Sequence, residues 1–211
     1  MKPNSSPLPP GFKAVAKKDS VAIRRKLGYS LTQACPARLV AKLYGVRVFP
    51  VFALNNLLLS GALGEFPDLD RRVAQLTSLV TDTERPFSAM AIGMCGDKII
   101  VYNPNASAAR QESDIMHEMG HHICQHPGNC LGAAMDFALR SHDERCEAEA
   151  EWLGWSLQIP EDGLMQLVRA GHSNEAIAEI YGASLQLVKF RRSVLAIDRR
   201  IAASINRAYN S

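Results

Sequence analysis

The sequence has no cysteine pair at CxxC spacing, no glycine-rich phosphate loop and no unbroken apolar run of bilayer length. Each absence removes a class of protein. The five cysteines, Cys35, Cys95, Cys124, Cys130 and Cys146, are odd in number and scattered, which argues against a secreted disulfide framework. Neither GxGxxG nor a Walker sequence is present, so dinucleotide and P-loop chemistry are not expected. The N-terminal stretch carries Lys2, Pro3, Pro7, Pro9 and Pro10 in place of an apolar signal core. The most apolar segment, Val46 to Leu63, is broken by Pro50, Asn55, Asn56 and Gly61, whereas a spanning helix needs about 20 consecutive apolar residues. Internal repeats are absent as well. The expectation is a soluble cytoplasmic protein with no membrane partner.

What is present is a chain of 211 residues, 47% apolar, with a net charge of +3. That is enough for one domain, or one domain with a small appendage, around a real core. The charge is uneven: between Met1 and Arg47 every charged residue but Asp19 is basic. Such an arm can meet an acidic partner or nucleic acid. No aromatic–basic alternation accompanies it, so a solvated helix face is the favoured reading.

Residues 1–10, rich in Pro, Ser and Asn, predict a disordered N-terminus. Gly11 to Leu27 and Pro36 to Tyr44 read as helices, the second stopped by Gly45. VRVFPVF reads as a strand that Pro50 confines to an edge or an end. Asp68 to Thr81 has helical spacing. SAMAIGM and KIIVY flank Cys95-Gly96-Asp97 and predict a hairpin. A helix is expected from about Ser107 to His126, ended by Pro127 and Gly128. Asn129 to Ser141 is open to either loop or short helix. His142 to Gln158 is helical, and Pro160 ends it. Helices are also expected over Asn174 to Tyr181, over Leu185 to Val194, and onward to Ile205. The fold class is therefore α+β, mostly helical, with a small antiparallel sheet. Residues 11–160 form the main domain, including the basic N-terminal helices, and 161–211 a C-terminal helical segment packed on it.

The segment HEMGH lies on the helix from Ser107. At about 3.6 residues per turn, positions four apart stack, so His117 and His121 can offer two imidazole nitrogens to one metal ion. Zinc accepts such nitrogens and favours four ligands. Glu118 projects from the flank of the same face and can reach a water at the metal as general base. Gly120 removes a side chain beside His121, which lets another backbone come close. His122 and His126 form a second i,i+4 pair without a glutamate in the matching place. They are read as covering the negative end of the helix, or as contacting the site from behind.

Two histidines leave a zinc site short of one protein ligand. HICQHPG after His121 lacks the glycine–histidine pattern of the metzincin route. The acidic run Glu144, Glu147, Glu149, Glu151 is next. Glu147 and Glu151 share a face of a helix whose Trp152, Leu153, Trp155 and Leu157 predict burial, and buried carboxylates need partners. Glu147 is the favoured third ligand, ahead of Glu151 and Glu144; the other member of the pair can orient a histidine.

At this point the chain resembles a known family. IIVYNPNASAARQESDIMHEMGH looks like the strand-then-helix entry of the ImmA/IrrE metallopeptidases, and ERCEAEAEWLGWSLQIP looks like their acidic helix leading to a proline. EAIAEIYGASLQLVKFRR resembles their tail, and GFKAVAKKDSVAIRRKLG the opening of standalone members. The resemblance implies a zincin-like domain with one Zn2+ held by His117, His121 and Glu147, and with Glu118 catalytic. It also implies a cytosolic protease whose substrate is a helix-turn-helix repressor. Departures are Ser113-Asp114 in place of Phe-Thr, Glu151 in place of Asn, and Leu153-Gly154 in place of Phe-Ala.

Amide hydrolysis needs an oxyanion stabiliser besides the metal; His142 and Tyr102 are candidates. The strand Lys98 to Tyr102, taken as an edge, can hold an extended peptide. Two other classes compete. One is a regulatory DNA- or protein-binding module: NEAIAEIYGASLQLVKFRR has a helix-turn-helix rhythm with Lys189, Arg191 and Arg192 on its second helix. A helical pair packed on the domain is preferred to it. The other is a metal-binding sensor without proteolysis.

Overall fold

The computed structural model describes residues 7–60, 87–94, 97–126, 129–130 and 143–209. The expected disorder over 1–10 falls mainly outside these. So do the helix expected at Asp68 to Thr81, the Cys95-Gly96 turn, the open stretch from 131 onward, and His142.

Helix α1 spans Phe12–Lys26 and α2 spans Ala37–Leu43. Strand β1, Arg47–Pro50, stops at the proline, and α3, Val51–Leu59, starts there. The strand expected to run on through Phe52 therefore ends early. Pro50 fixes its own φ and has no N–H for a ladder, which suits a helix entry better than a continued strand. The hairpin is present as β2, Ala89–Met94, and β3, Asp97–Tyr102, with Ala91 opposite Ile100. A two-residue strand β4, Asn129–Cys130, adds beside Ile92 and Gly93.

The sheet order is β1-β3-β2-β4. Two expectations are corrected here. The sheet is mixed, because β1 runs parallel to β3, Arg47 opposite Ile99 through Pro50 opposite Tyr102. Strand β3 is consequently interior, paired on both sides, and its backbone cannot receive an added peptide strand. Among the described residues, unpaired edges remain on β1, which pairs only with β3, and on β2 at Ala89 to Ala91, since β4 covers only Ile92 and Gly93.

After β3, Asn103 closes the turn into the next helix. Its side chain donates to Phe87 O (2.9 Å) and accepts from Asn105 N (2.9 Å). Helix α4, Ala108–Ile123, starts with Ser107 Oγ accepting from Arg110 N, which satisfies one of the orphan donors of the first turn. Helix α5, Glu144–Gln158, starts on Asp143, which accepts from the amides of Arg145 and Cys146. Ile115, Met116 and Met119 of α4 join Leu153 and Leu157 of α5, Val40 of α2 and Ile100 of β3 in one buried cluster. Each such side chain contributes roughly 1.5–3 kcal/mol on removal from water.

Helices α4 and α5 cross at almost backbone contact. A Cβ on Gly120 would collide with the carbonyl of Ala150, and one on Gly154 would stand 3.0 Å from Met116 O. The close approach expected at Gly120 is thus made by the acidic helix. Gly154 performs the matching role from the other side, where the resembling family carries Ala.

Four more helices follow: α6 Glu161–Arg169, α7 Asn174–Tyr181, α8 Leu185–Val194 and α9 Ile197–Tyr209. They enclose a second cluster built on Ile159, Leu164, Ile177, Val188 and Ile197, and Trp155 and Leu195 pack against both clusters. The N-terminal arm clasps this segment. Lys17 pairs with Glu161 (3.0 Å) and Asp162 (2.6 Å), and Tyr181 Oη donates to Leu31 O (2.8 Å). Arg24 is buried and Lys17 is paired, so part of the basic arm is structural and not a free cationic face.

Candidate metal centre

Helix α4 delivers His117 and His121 one turn apart, and the close crossing at Gly120 sets Glu147 of α5 opposite them. The Nε2 atoms of the two histidines stand 3.1 Å apart. Glu147 Oε2 lies 3.3 Å from His117 Nε2, and Oε1 lies 3.5 Å from His121 Nε2. Nitrogen and oxygen ligands at about 2.0–2.1 Å from a tetrahedral ion stand roughly 3.3–3.4 Å apart. The observed separations match that spacing, so the donor set fits a zinc ion.

The electrostatics separate the two histidines. Burial works against charge on His117, yet its hydrogen bond to Glu147 and the charges of Glu118, Glu147 and Glu151 outweigh this and raise its pKa. His121 is lowered to about 4, first by burial and then by the proximity of His117. His121 is therefore neutral at pH 7, the form that binds metal.

Glu118, next to His117 in the chain and within its electrostatic reach, also meets the sheet: its Oε2 accepts from Ala91 N at 2.8 Å, at the edge of β2. Glu151 is exposed, and burial of its carboxyl environment raises its pKa against the opposing field of His117. It lies within electrostatic reach of the cluster but outside the group of convergent donors; Glu144 is not in that group either. The ring of Tyr102 lies under the Arg38 guanidinium, 4.7 Å from the centroid, at the end of the interior strand.

His122 and His126 do not lie stacked on one helix face; of the two readings given them, contact with the site from behind is the one His126 makes. Helix α4 ends at Ile123, three residues before the expected His126, because Gln125 turns left-handed (φ 59°). Its amide bonds to His122 O, and that of His126 to His121 O (3.0 Å); the pattern is a Schellman reversal with glutamine in the place glycine usually takes. His126 is thereby folded back beneath His121, Nδ1 to Nδ1 at 3.0 Å, and its Nε2 meets Glu149 Oε2 at 3.0 Å. Arg145 holds the other oxygen of Glu149 at 2.8 Å. His122 instead lies edge-on to Tyr44 of α2, with centroids 5.8 Å apart.

This chain assigns the protons. If His121 Nε2 were to bind a metal, its Nδ1–H would donate to His126 Nδ1, and His126 Nε2–H to Glu149. The sequence carries no signal for the contact of Glu149. Glu149 lies two positions from Glu147, on another face of α5, and only the reversal at Gln125 brings a histidine to it. Cys124, His126 and Glu149 also form a second compact group of potential ligands. Burial first, then Glu149, pushes the Cys124 thiol up to about 11.

Residues 78–193, more than half of the chain, match the peptidase family M78, described as the IrrE N-terminal-like domain. The chain belongs to this family. The resemblance read from HEMGH and the acidic helix is thus borne out, and with it the metallopeptidase type. No curated protein matches the chain. In this family member the matched span contains β2, β3, α4, α5 and most of α8, so both helices of the candidate centre lie inside it.

The helix-turn-helix rhythm of the tail has a structural account. Of its three cations, Arg191 is buried and Arg192 is engaged by Asp198 (2.6 Å) and Asn174 (2.9 Å). Lys189 is exposed. Among the described residues no helix is long and apolar enough to cross a membrane, and Cys35, Cys124 and Cys146 are free thiols.

Proposed function

We propose that the protein is a zinc-dependent endopeptidase with His117, His121 and Glu147 as metal ligands and Glu118 as general base. The observation that carries this reading is the convergence of the three donors at tetrahedral spacing, with Glu118 anchored beside them at a sheet edge. Zinc, when held by His117, His121 and Glu147, would supply a Lewis acid and lower the pKa of a water toward about 7. Glu118 is the carboxylate placed to take a proton from the attacking water and return it to the leaving amine. The Ala91 amide fixes one oxygen of Glu118. Glu149, acting through His126, keeps the proton of His121 on Nδ1 and so leaves its Nε2 lone pair free for a metal. The edge of β2 at Ala89 to Ala91 is where an extended peptide can add by main-chain hydrogen bonds, through the groups other than the Ala91 amide that Glu118 takes.

The substrate we favour is a helix-turn-helix transcriptional repressor, met in the cytoplasm. This rests on the family relationship and on an edge suited to an extended segment of a protein. The test is incubation of a repressor encoded beside this gene with the zinc-loaded protein, alongside Glu118→Gln. Cleavage by the wild type that is absent from the variant supports the reading. Equal cleavage by both removes Glu118 from the mechanism. Zinc binding with no cleavage of any candidate repressor would favour a metal-binding sensor.

A further inference from the structure

Cys124 and Glu149 line a cavity of about 330 Å³ together with Gln125 and with Phe12, Val15 and Asp19 of α1. His126 lies beyond Glu149, its Nε2 3.0 Å from Oε2. The thiol of Cys124, the ring of His126 and the carboxylate of Glu149 each offer one donor atom, and these atoms lie within 4.8 Å of one another. Three separate features bring them together. Cys124 caps the C-terminus of α4, the left-handed Gln125 turns His126 back, and α5 carries Glu149. The group shares no residue with His117, His121 and Glu147.

A thiolate, an imidazole and a carboxylate suit a cation of the zinc type, and the cavity leaves a fourth position to water. Arg145 holds Glu149 Oε1 at 2.8 Å, which leaves Oε2 for a cation. The guanidinium opposes that cation by charge, and Asp19, within electrostatic reach of Cys124, offsets it. Burial, Glu149 and Asp19 hold the Cys124 thiol up at about 11, but a thiol that coordinates a metal loses its proton outright. An ion entering from the cavity meets Cys124 and Glu149 first. It then takes the place of the proton between Glu149 Oε2 and His126 Nε2. That pair, 3.0 Å apart, has to open by only a few tenths of an ångström to reach the roughly 3.3–3.4 Å between two ligands of one tetrahedral ion.

We propose that Cys124, His126 and Glu149 hold a second, thiophilic divalent cation, and that this cation excludes metal from His121. The exclusion rests on the reading of His117, His121 and Glu147 as the metal centre; the second site does not. With a cation on His126 Nε2, the proton of that ring sits on Nδ1 and is donated to His121 Nδ1, 3.0 Å away. His121 must then carry its own proton on Nε2, the atom that faces His117 and Glu147. The proton count of the two rings is unchanged, but the lone pair that the first metal needs is gone. Metal at both sites would set two N–H groups against each other across that 3.0 Å. Each site therefore weakens the other, since coupling of this kind is reciprocal. The outcome is a centre that loses its metal as free metal rises.

The test titrates the full-length protein with cobalt(II), under a phosphine reductant that keeps the thiols free. A thiolate on cobalt gives a near-ultraviolet charge-transfer band, whereas two imidazoles and a carboxylate give only visible d–d absorption. A saturable charge-transfer band is expected in the wild type. It should be lost in both Cys124→Ser and Cys124→Ala, although Cys35, Cys95, Cys130 and Cys146 remain. Retained d–d absorption in these variants shows that they fold and that the first site is intact. His117→Ala removes a ligand of the first site alone. It should keep the charge-transfer band and tighten cobalt at Cys124 by at least about fivefold, the lower end of ordinary coupling between sites. A band that forms without any d–d signal from the first site would remove the metal-centre reading and leave the second site standing. Absence of a saturable band in the wild type, or an equal band in the Cys124 variants, overturns the second site. Unchanged cobalt affinity in His117→Ala overturns the exclusion.

Discussion

The two ends of helix α5 meet charge in opposite ways. Toward its start, Glu147 faces two histidines of α4, and Glu149 is held by His126, just beyond α4, and by Arg145 of α5 itself. Toward its end, Ser156 and Trp152 face the guanidinium of Arg191, whose Nε and Nη1 remain unmatched. The first arrangement gathers donors that could share a cation. The second leaves two donors of one guanidinium without acceptors. Both show that buried polar groups are informative through what they lack, because an unmatched one costs more than a matched one contributes.

The largest effect is expected where the base is removed. Glu118→Gln should lower kcat/KM by about 10²–10⁴-fold, the range for loss of general acid–base catalysis, while metal content stays at wild-type level. Retained turnover would break the functional half of the comparison. His126→Ala or Glu149→Gln should weaken metal binding by about 10–100-fold, measured by competition with a chelator, as loss of a residue that orients a ligand histidine does. If neither variant changes affinity, the chain from Glu149 to His121 is only packing.

Gly120→Ala tests the crossing that joins the metal-binding helices. It places a methyl against the Ala150 carbonyl and should destabilise the fold by about 1–3 kcal/mol in denaturant unfolding. Gly154→Ala, meeting Met116 O at 3.0 Å, should cost less. Metal affinity should also fall as pH drops through the raised pKa of His117, which lies above 6.5, because protons compete for the same nitrogen. His121, lowered to about 4, adds no pH dependence near neutrality.

The smallest effect concerns the clasp at the other end. Burial opposes ionisation of Glu161, but Lys17 and Arg200 outweigh it and hold its pKa below the ordinary 4.5. A carboxylate depressed on folding contributes stability above its unfolded pKa and loses it as pH falls through the folded one. Glu161→Gln should therefore reduce stability modestly at neutral pH and make no difference in strong acid, as followed by thermal unfolding across pH.

Much of the candidate centre was legible because it is local. His117, Glu118 and His121 share one helix, and helical spacing alone sets them on adjoining faces. Glu147 was legible through spacing on a second helix and the apolar residues that bury it. Several helix starts fall close to where periodicity put them, and Ser107, Asp143, Ser173 and Ser184 cap them. Strand order was not legible. A hairpin predicts that β2 and β3 pair, but not that β1 takes the far edge of β3 in parallel and so makes β3 interior.

The sequence by itself therefore determined which helix carries the histidines, which carboxylate can act as base, and which helix offers the third ligand. These depend on 3.6-residue spacing and on burial pattern, both written along a single segment. Only the tertiary structure decided that Gln125 reverses the chain beneath His121, that Glu149 receives His126, and that Arg191 is buried with two of its donors unmatched. Those outcomes depend on how elements far apart in the chain pack and on which polar groups packing leaves without partners, and no single segment encodes either.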